Sequence, residues 1–268
     1  MKNKHTFLIS HFSFFIFFMN HLFQYTLRLA DNASILGHRL GEWCGHGPIL
    51  EQDIALTNIA LDLVGQARSF YQYAAEIAGE GQTEDSLAYL RDTQAFRNFL
   101  LVEQPNGNFA DTIARQFFYD AYSFSFYKIL QQSKDTTLAA IAEKSIKEVT
   151  YHLRWSSEWV IRLGDGTEDS HAKIQTALNG LWRFTGEMFE MDETDNEMLA
   201  QGIGVDLVSL KKMWLQKVEE VLAEATLIFP SEKTWMQRGS KKGIHTEHLG
   251  YILAEMQHLQ RTYPNCEW

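Results

Sequence analysis

Apolar residues recur along most of this chain at intervals of three and four, the spacing of one face of an α-helix. Runs of alternating Val, Ile and Thr that would mark strands are absent. The periodicity predicts helices over about 20–43, 49–78, 108–133, 136–163, 169–188, 206–226 and 242–260, with a short one near 84–98. Pro48, Pro105, Pro230 and Pro264 all fall between these segments, where a missing N–H and a fixed φ break no helical hydrogen bond. The connectors Gly45-His46-Gly47-Pro48, Gln104-Pro105-Asn106-Gly107 and Gly164-Asp165-Gly166-Thr167 have the composition of helix ends and starts. An all-α chain is expected. Helices of about 25–30 residues on short loops pack most simply as antiparallel neighbours, so the expected architecture is a long-helix antiparallel bundle with additional C-terminal helices. A repeat solenoid would need self-similarity at about 33–47 residues, which the chain lacks. The acidic, Gly-containing stretch Asp192–Gly204 reads as an irregular loop.

Two helices carry polar residues where a core is expected. Asp53 to Arg68 is apolar almost all round, the pattern of a helix buried on most sides. Within it Asn58, Asp62 and Gln66 stand at i, i+4 and i+8 and form one polar stripe. A buried carboxylate left alone costs several kcal/mol, so Asp62 needs a partner. A polar network that sets helix register and a metal ligand, or its remnant, both satisfy that need. On the helix over 136–163, Lys144, Glu148 and His152 are again at i, i+4 and i+8. Its apolar face centres on Val149, Leu153 and Val160, which leaves Glu148 and His152 at the edge of the buried face. They are either an inward pair or an ordinary i, i+4 surface pair.

Long antiparallel helices with inward carboxylates suggest the ferritin-like bundle that holds a carboxylate-bridged di-iron centre. That site takes a Glu from each of two helices and a Glu-x-x-His pair from each of the other two. Here Gly65 stands three residues after Asp62, and Tyr151 three after Glu148. Neither supplies a nitrogen ligand. Gln66 and His152 are displaced by one position, about 100° around the helix. The Glu-x-x-His strings that do occur, Glu168/His171 and Glu255/His258, do not restore the set: the first opens a helix capped by Thr167 or Asp165, and the second lies near the C-terminus without a sister motif.

Composition narrows the function further. The chain has 34 acidic and 24 basic residues, a net charge of −10, and no basic field for nucleic acid. Cys44 and Cys266 lie far apart and form neither zinc spacing nor a disulfide framework, which fits a cytoplasmic protein. No Gly-x-Ser-x-Gly elbow and no phosphate-cradling Gly loop is present.

The start of the chain stands apart. Lys2 and Lys4 precede a Phe-rich apolar run from Phe7 to Phe18. The run is shorter than the ~20 residues a bilayer span needs, and no small-x-small cleavage site follows it. Met19 then opens an amphipathic segment, so residues 1–18 are expected to be a mis-assigned start or non-native extension, with one helical domain over 19–268. Without Lys2 and Lys4 the charge of −10 becomes −12. An export signal is the competing reading of the same run.

Several motifs occur in an order that identifies a family. Ile35-Leu36-Gly37-His38-Arg39-Leu40-Gly41-Glu42-Trp43-Cys44-Gly45-His46-Gly47-Pro48 is followed by Asp53 through Arg68, then by Leu101-Val102-Glu103-Gln104-Pro105-Asn106-Gly107 and Ile113-Ala114-Arg115-Gln116-Phe117. Lys147-Glu148-Val149 with Tyr151-His152-Leu153-Arg154, Arg162 to Glu168, Leu253 to Gln257, and Tyr263-Pro264 with Glu267-Trp268 complete the series. Together, from about residue 19 to 268, they resemble the C subunits of the bacterial ring-1,2-phenylacetyl-CoA epoxidases.

The resemblance implies a ferritin-like fold and a place in a heteromeric cytoplasmic monooxygenase of aerobic phenylacetate degradation. In such a complex a homologous A subunit holds the di-iron centre, a reductase component delivers electrons from NADPH, and dioxygen epoxidises the ring of phenylacetyl-CoA. The C subunit is the structural partner, without metal or catalytic residues of its own. Gly65 and Tyr151 agree with that assignment. In a scaffold the residues Glu42, Asp62, Gln66, Lys144, Glu148 and His152 would be the outline of a degenerate buried polar site, its charges neutralising one another. Two alternatives stay open: a di-iron oxidase using Glu42, Asp62, Glu148 and His152 in displaced geometry, and an exported helical binding protein that rests on residues 1–18. For the contact face, Trp155, Trp159, Trp182 and Phe184 are candidates, against the more ordinary role of core residues.

Overall fold

The computed structural model describes the backbone of residues 2–79, 81–231, 233–264 and 266, and the side chains from residue 18 onward within those ranges. Among the described residues all regular structure is helical. The elements are α1 (Lys2–Gly41), α2 (Leu50–Ala78), α3 (Glu84–Tyr89), α4 (Phe109–Leu130), α5 (Thr136–Gly164), α6 (Glu168–Leu181), α7 (Glu193–Ala200), α8 (Leu207–Glu224), α9 (Glu247–Met256) and α10 (His258–Thr262). The side chains of residues 1–17, and with them all of the apolar run except Phe18, lie outside the described residues, as do Glu267 and Trp268 of the C-terminal motif. No helix among the described residues is long and apolar enough to cross a membrane.

Side-chain partners set the directions of the four long helices. Asp31 meets Tyr71, while Gly37 lies against Ala60 and Val64, so α1 and α2 are antiparallel. Tyr25 packs near Phe126 and Trp43 bonds Thr112, so α4 also runs against α1. His152 bonds Asp62 while Glu148 bonds Gln66, so α5 runs against α2 and parallel to α1. The order is up, down, down, up, with one long crossover between α2 and α4. This is the connectivity of a ferritin-like bundle. Gly37 permits the close approach of α1 and α2: a Cβ there would lie 3.1 Å from Val64 Cγ2 and 3.3 Å from the Ala60 carbonyl oxygen.

Local sequence explains the boundaries. Asn108 caps α4 in a capping box with Asp111, and Thr167 caps α6 with Ser170. Asp135 accepts from the Thr137 and Leu138 amides at the start of α5. The stretch expected as a loop after residue 191 is instead helical: Asp192 and Asp195 form a capping box that starts α7, leaving only Gln201–Gly204 irregular. The segment over 169–188 divides into α6 and 3-10 turns over 182–189, and that over 242–260 into a 3-10 turn, α9 and α10.

Phe70, Phe117, Phe118 and Trp214 are fully buried, and Trp214 stacks on Trp182. The outer helices α6 and α8 thereby seal the side of α4 that faces away from the four-helix centre. Trp155, Trp182 and Phe184 are buried and Trp159 is half-buried, so these aromatics belong to the core. Trp155 and Trp159 both donate to Gln52 Oε1, tying α5 to the first turn of α2. The expectation that α2 is buried on most sides does not hold within this chain: Leu50, Ile54, Leu61 and Val64 are exposed. Cys44 and Cys266 are exposed and free.

Candidate functional site

The polar stripe of α2 runs from solvent into the bundle. Asn58 is exposed, Asp62 is half-buried with its side chain 37% accessible, and Gln66 is buried. Each of the inner two finds a partner one helix away on α5. His152 Nε2 donates to Asp62 Oδ2 at 2.9 Å, and Gln66 Nε2 donates to Glu148 Oε2 at 2.8 Å. From α4, the Tyr127 hydroxyl donates to Gln66 Oε1 at 3.3 Å. Burial, and then the charge of Glu148, push the Tyr127 phenol well above its ordinary pKa, so it serves as a neutral donor.

Deeper still lies Asp120 of α4. It accepts from Gln116 Nε2 at 2.7 Å, and its second oxygen, Oδ2, is buried without a hydrogen-bond partner, as is His152 Nδ1. Burial drives the Asp120 carboxyl up to about 7, while the charge of His152 and the neighbouring polar side chains of Ser156 and Gln116 pull against that rise. Asp62 and His152 thus join α2 to α5, and the charge of Asp120 on α4 is felt by the same imidazole without a hydrogen bond between them.

Two residues placed in this network from sequence lie elsewhere. Lys144 is exposed, one turn before Glu148, where its ammonium keeps its hydration rather than entering a cramped interior. Glu42 follows the last turn of α1 and is taken by Arg39 Nη1 at 2.7 Å and Asn106 Nδ2 at 2.9 Å. That end of the bundle is a second polar cluster. Asn106 Oδ1 accepts from the fully buried Arg115, whose guanidinium is pushed down to about 9 by burial and by the nearby Arg39.

A carboxylate-bridged metal pair does not fit these donors. Among the described residues no group of three or more His, Cys, Asp and Glu side chains is arranged to hold a metal ion. Glu148 is occupied by an amide N–H, Gly65 offers no ligand, and Tyr151 is 40% exposed.

Residues 18–268 match the model of the family described as phenylacetic acid catabolic protein. The chain belongs to that family. It is 56% identical over 250 residues, 93% of this chain and 100% of the relative, to the C subunit of the 1,2-phenylacetyl-CoA epoxidase of Escherichia coli (strain K12). Within this family member, the motifs Arg39–Glu42, Glu103–Asn106 and Arg115 converge on the end of the bundle next to the α1–α2 turn. Their shared role here is to join three segments through Arg39 to the Glu103 carbonyl and Arg115 to the Gln104 carbonyl.

Sequence reasoning missed Asp120, Gln116 and Tyr127, although Thr112, Gln116 and Asp120 stand at i, i+4 and i+8 on α4, the same spacing that marks the polar stripe of α2. It also missed Glu103 and His245, which are nearly inaccessible and bonded at 2.8 Å across 142 residues of sequence. No local pattern signals a pair so far apart.

Proposed function

We propose that this chain is a non-catalytic structural subunit of a multicomponent di-iron monooxygenase that epoxidises the ring of phenylacetyl-CoA in aerobic phenylacetate degradation. Its task is to hold the homologous catalytic A subunit in a competent shape. Iron belongs to that A subunit, electrons arrive through a reductase component, and the complex works in the cytoplasm. This chain itself carries no catalytic residue and no cofactor. The observation that carries the reading is the pairing between α2 and α5. Asp62 is taken by His152 and Glu148 by Gln66, so the side chains best placed to bind a metal serve each other instead. The identity to the C subunit of an epoxidase over the whole length of that relative supports the same role.

The test is coexpression with the remaining oxygenase subunits, followed by iron counting and turnover on the complex and on this chain alone. The chain alone is expected to hold no stoichiometric iron and to turn nothing over, while its addition restores or stabilises turnover by the A subunit. Two irons bound per isolated chain, with oxygenase activity, would overturn the reading.

A further inference from the structure

The face of α2 that points away from the bundle is largely apolar over about 21 Å, from Leu50 to Val64 at 1.5 Å per residue. Leu50, Ile54 and Leu61 recur at intervals of four and seven, and they are 71%, 51% and 64% exposed. Val64 continues the strip toward α1, and at Gly65 an added Cβ would meet nothing within 4 Å. These four apolar side chains present on the order of 400 Å² in one strip, as much as a monomer ordinarily leaves exposed in its largest patch. A standard interface takes about 800 Å² from each partner. The polar rim of Glu51, Asn58, Asp62 and Arg68 supplies much of the difference.

The rim is asymmetric. At 100° per residue, Glu51, Asn58 and Asp62 fall along the edge toward α5, where Tyr151 is also partly exposed. The cation of the strip, Arg68, stands at its far end and leans to Glu84 at 3.5 Å. An antiparallel pairing of this face with itself about a two-fold axis would set the acidic edge against the acidic edge, which is unfavourable. A partner that fits carries basic side chains along the matching edge.

The geometry points to the outer face of α2 as the docking surface for another subunit of the same oxygenase, one that presents an apolar helix edged by Lys or Arg. This rests on the subunit reading above and deepens it by assigning the contact face. It also accounts for an α2 sequence that is apolar nearly all round. One side is covered by this chain's own core and the other is covered in the complex.

The experiment is size-exclusion chromatography and affinity measurement on this chain coexpressed with the remaining oxygenase subunits, using wild type, Ile54→Lys/Leu61→Lys, Glu51→Lys, and Val208→Lys as a control on an exposed apolar residue of α8. Thermal unfolding of each isolated chain confirms that the substitutions leave the fold intact. Wild type and Val208→Lys are expected to coelute with a second subunit, while the double variant binds at least tenfold more weakly at unchanged Tm. Glu51→Lys is expected to weaken binding more at low than at high salt. Undiminished binding by a folded double variant overturns the docking face and leaves the subunit reading standing. Wild type that joins no oxygenase subunit overturns both. Self-association through this face, lost in the double variant, overturns the choice of partner.

Discussion

The surroundings of Asp120 and of His245 both raise the pKa of the group, by burial in the first case and by an anionic partner in the second, and in both cases stability falls as pH rises. The Asp120 carboxyl is raised to about 7 from an ordinary value of 3.8. Its protonated form is favoured by folding, so the contribution is fully present below about pH 4 and is lost as pH climbs through 7. Asp120→Asn, which removes the ionisation and keeps the shape, should therefore be more stable than wild type at pH 8 by on the order of 2–4 kcal/mol. The difference should shrink toward pH 4, as chemical denaturation at several pH values would reveal. A constant difference would show that the carboxyl does not titrate in this range.

For His245, burial alone would lower the pKa, but the hydrogen bond and charge of Glu103, with the Phe96 carbonyl, outweigh it and raise it. Both ring nitrogens face acceptors, Glu103 Oε2 at 2.8 Å and the Phe96 carbonyl at 3.0 Å, so the imidazolium is the form that satisfies both. Its stabilisation is complete below pH 6.5 and is lost as pH rises through the folded-state value. His245→Ala should cost about 3 kcal/mol at pH 6 and less at high pH, since it leaves a buried carboxylate short of its cation. Asp62 is a milder case. Its side chain is more than a third exposed, so Asp62→Ala should cost only about 1 kcal/mol, well below the several kcal/mol of a fully buried charge. Urea midpoints of the variants would separate the three residues.

At the scale of the element, glycines divide helix surfaces that are packed from those that are free. Gly164, at the end of α5, leaves room for the chain that follows α8: a Cβ there would lie 2.4 Å from the Ala225 carbonyl oxygen and 2.9 Å from Ala225 Cβ. Gly164→Ala should destabilise the chain by about 1–3 kcal/mol through overpacking. Gly65 lies mid-helix with open space around it, so Gly65→Ala should stabilise the isolated chain by about 0.5–1 kcal/mol through helix propensity alone. Thermal unfolding of the pair would move in opposite directions. Helix ends were legible wherever a capping residue stood before an apolar run, as at Asn108, Asp135 and Thr167. The turn into α7 was not, because Asp192 and Asp195 act there as a capping box and also as partners of Arg28 and Lys241, and the acidic composition alone reads as a loop.

For the whole molecule, ten described helices form one bundle whose later elements are pinned to the first hundred residues by buried polar groups. Glu187 accepts from the Leu100, Gly239 and Ser240 amides, and Gln257 donates to the Ala88 and Arg91 carbonyls. Such ties make unfolding a single event, so loss of the His245–Glu103 pair should lower one cooperative transition rather than create a second one. Calorimetry of His245→Ala checks this, and two resolved transitions would show that the C-terminal helices form an independent unit.

Periodicity, proline placement and capping residues determined that the chain is helical, roughly where its helices lie, and that Gly65 and Tyr151 interrupt the spacing a metal pair requires. Those features are local, because a helix's hydrogen bonds and its stripe of side chains span only a few residues. Tertiary structure alone decided that Asp62 and Glu148 answer to His152 and Gln66, that Asp120 lies beyond them, and that Lys144 and Glu42 take no part. It also decided that one side of α2 is left bare. Each of these depends on which helix stands opposite, and that is settled by the packing of surfaces far apart in sequence.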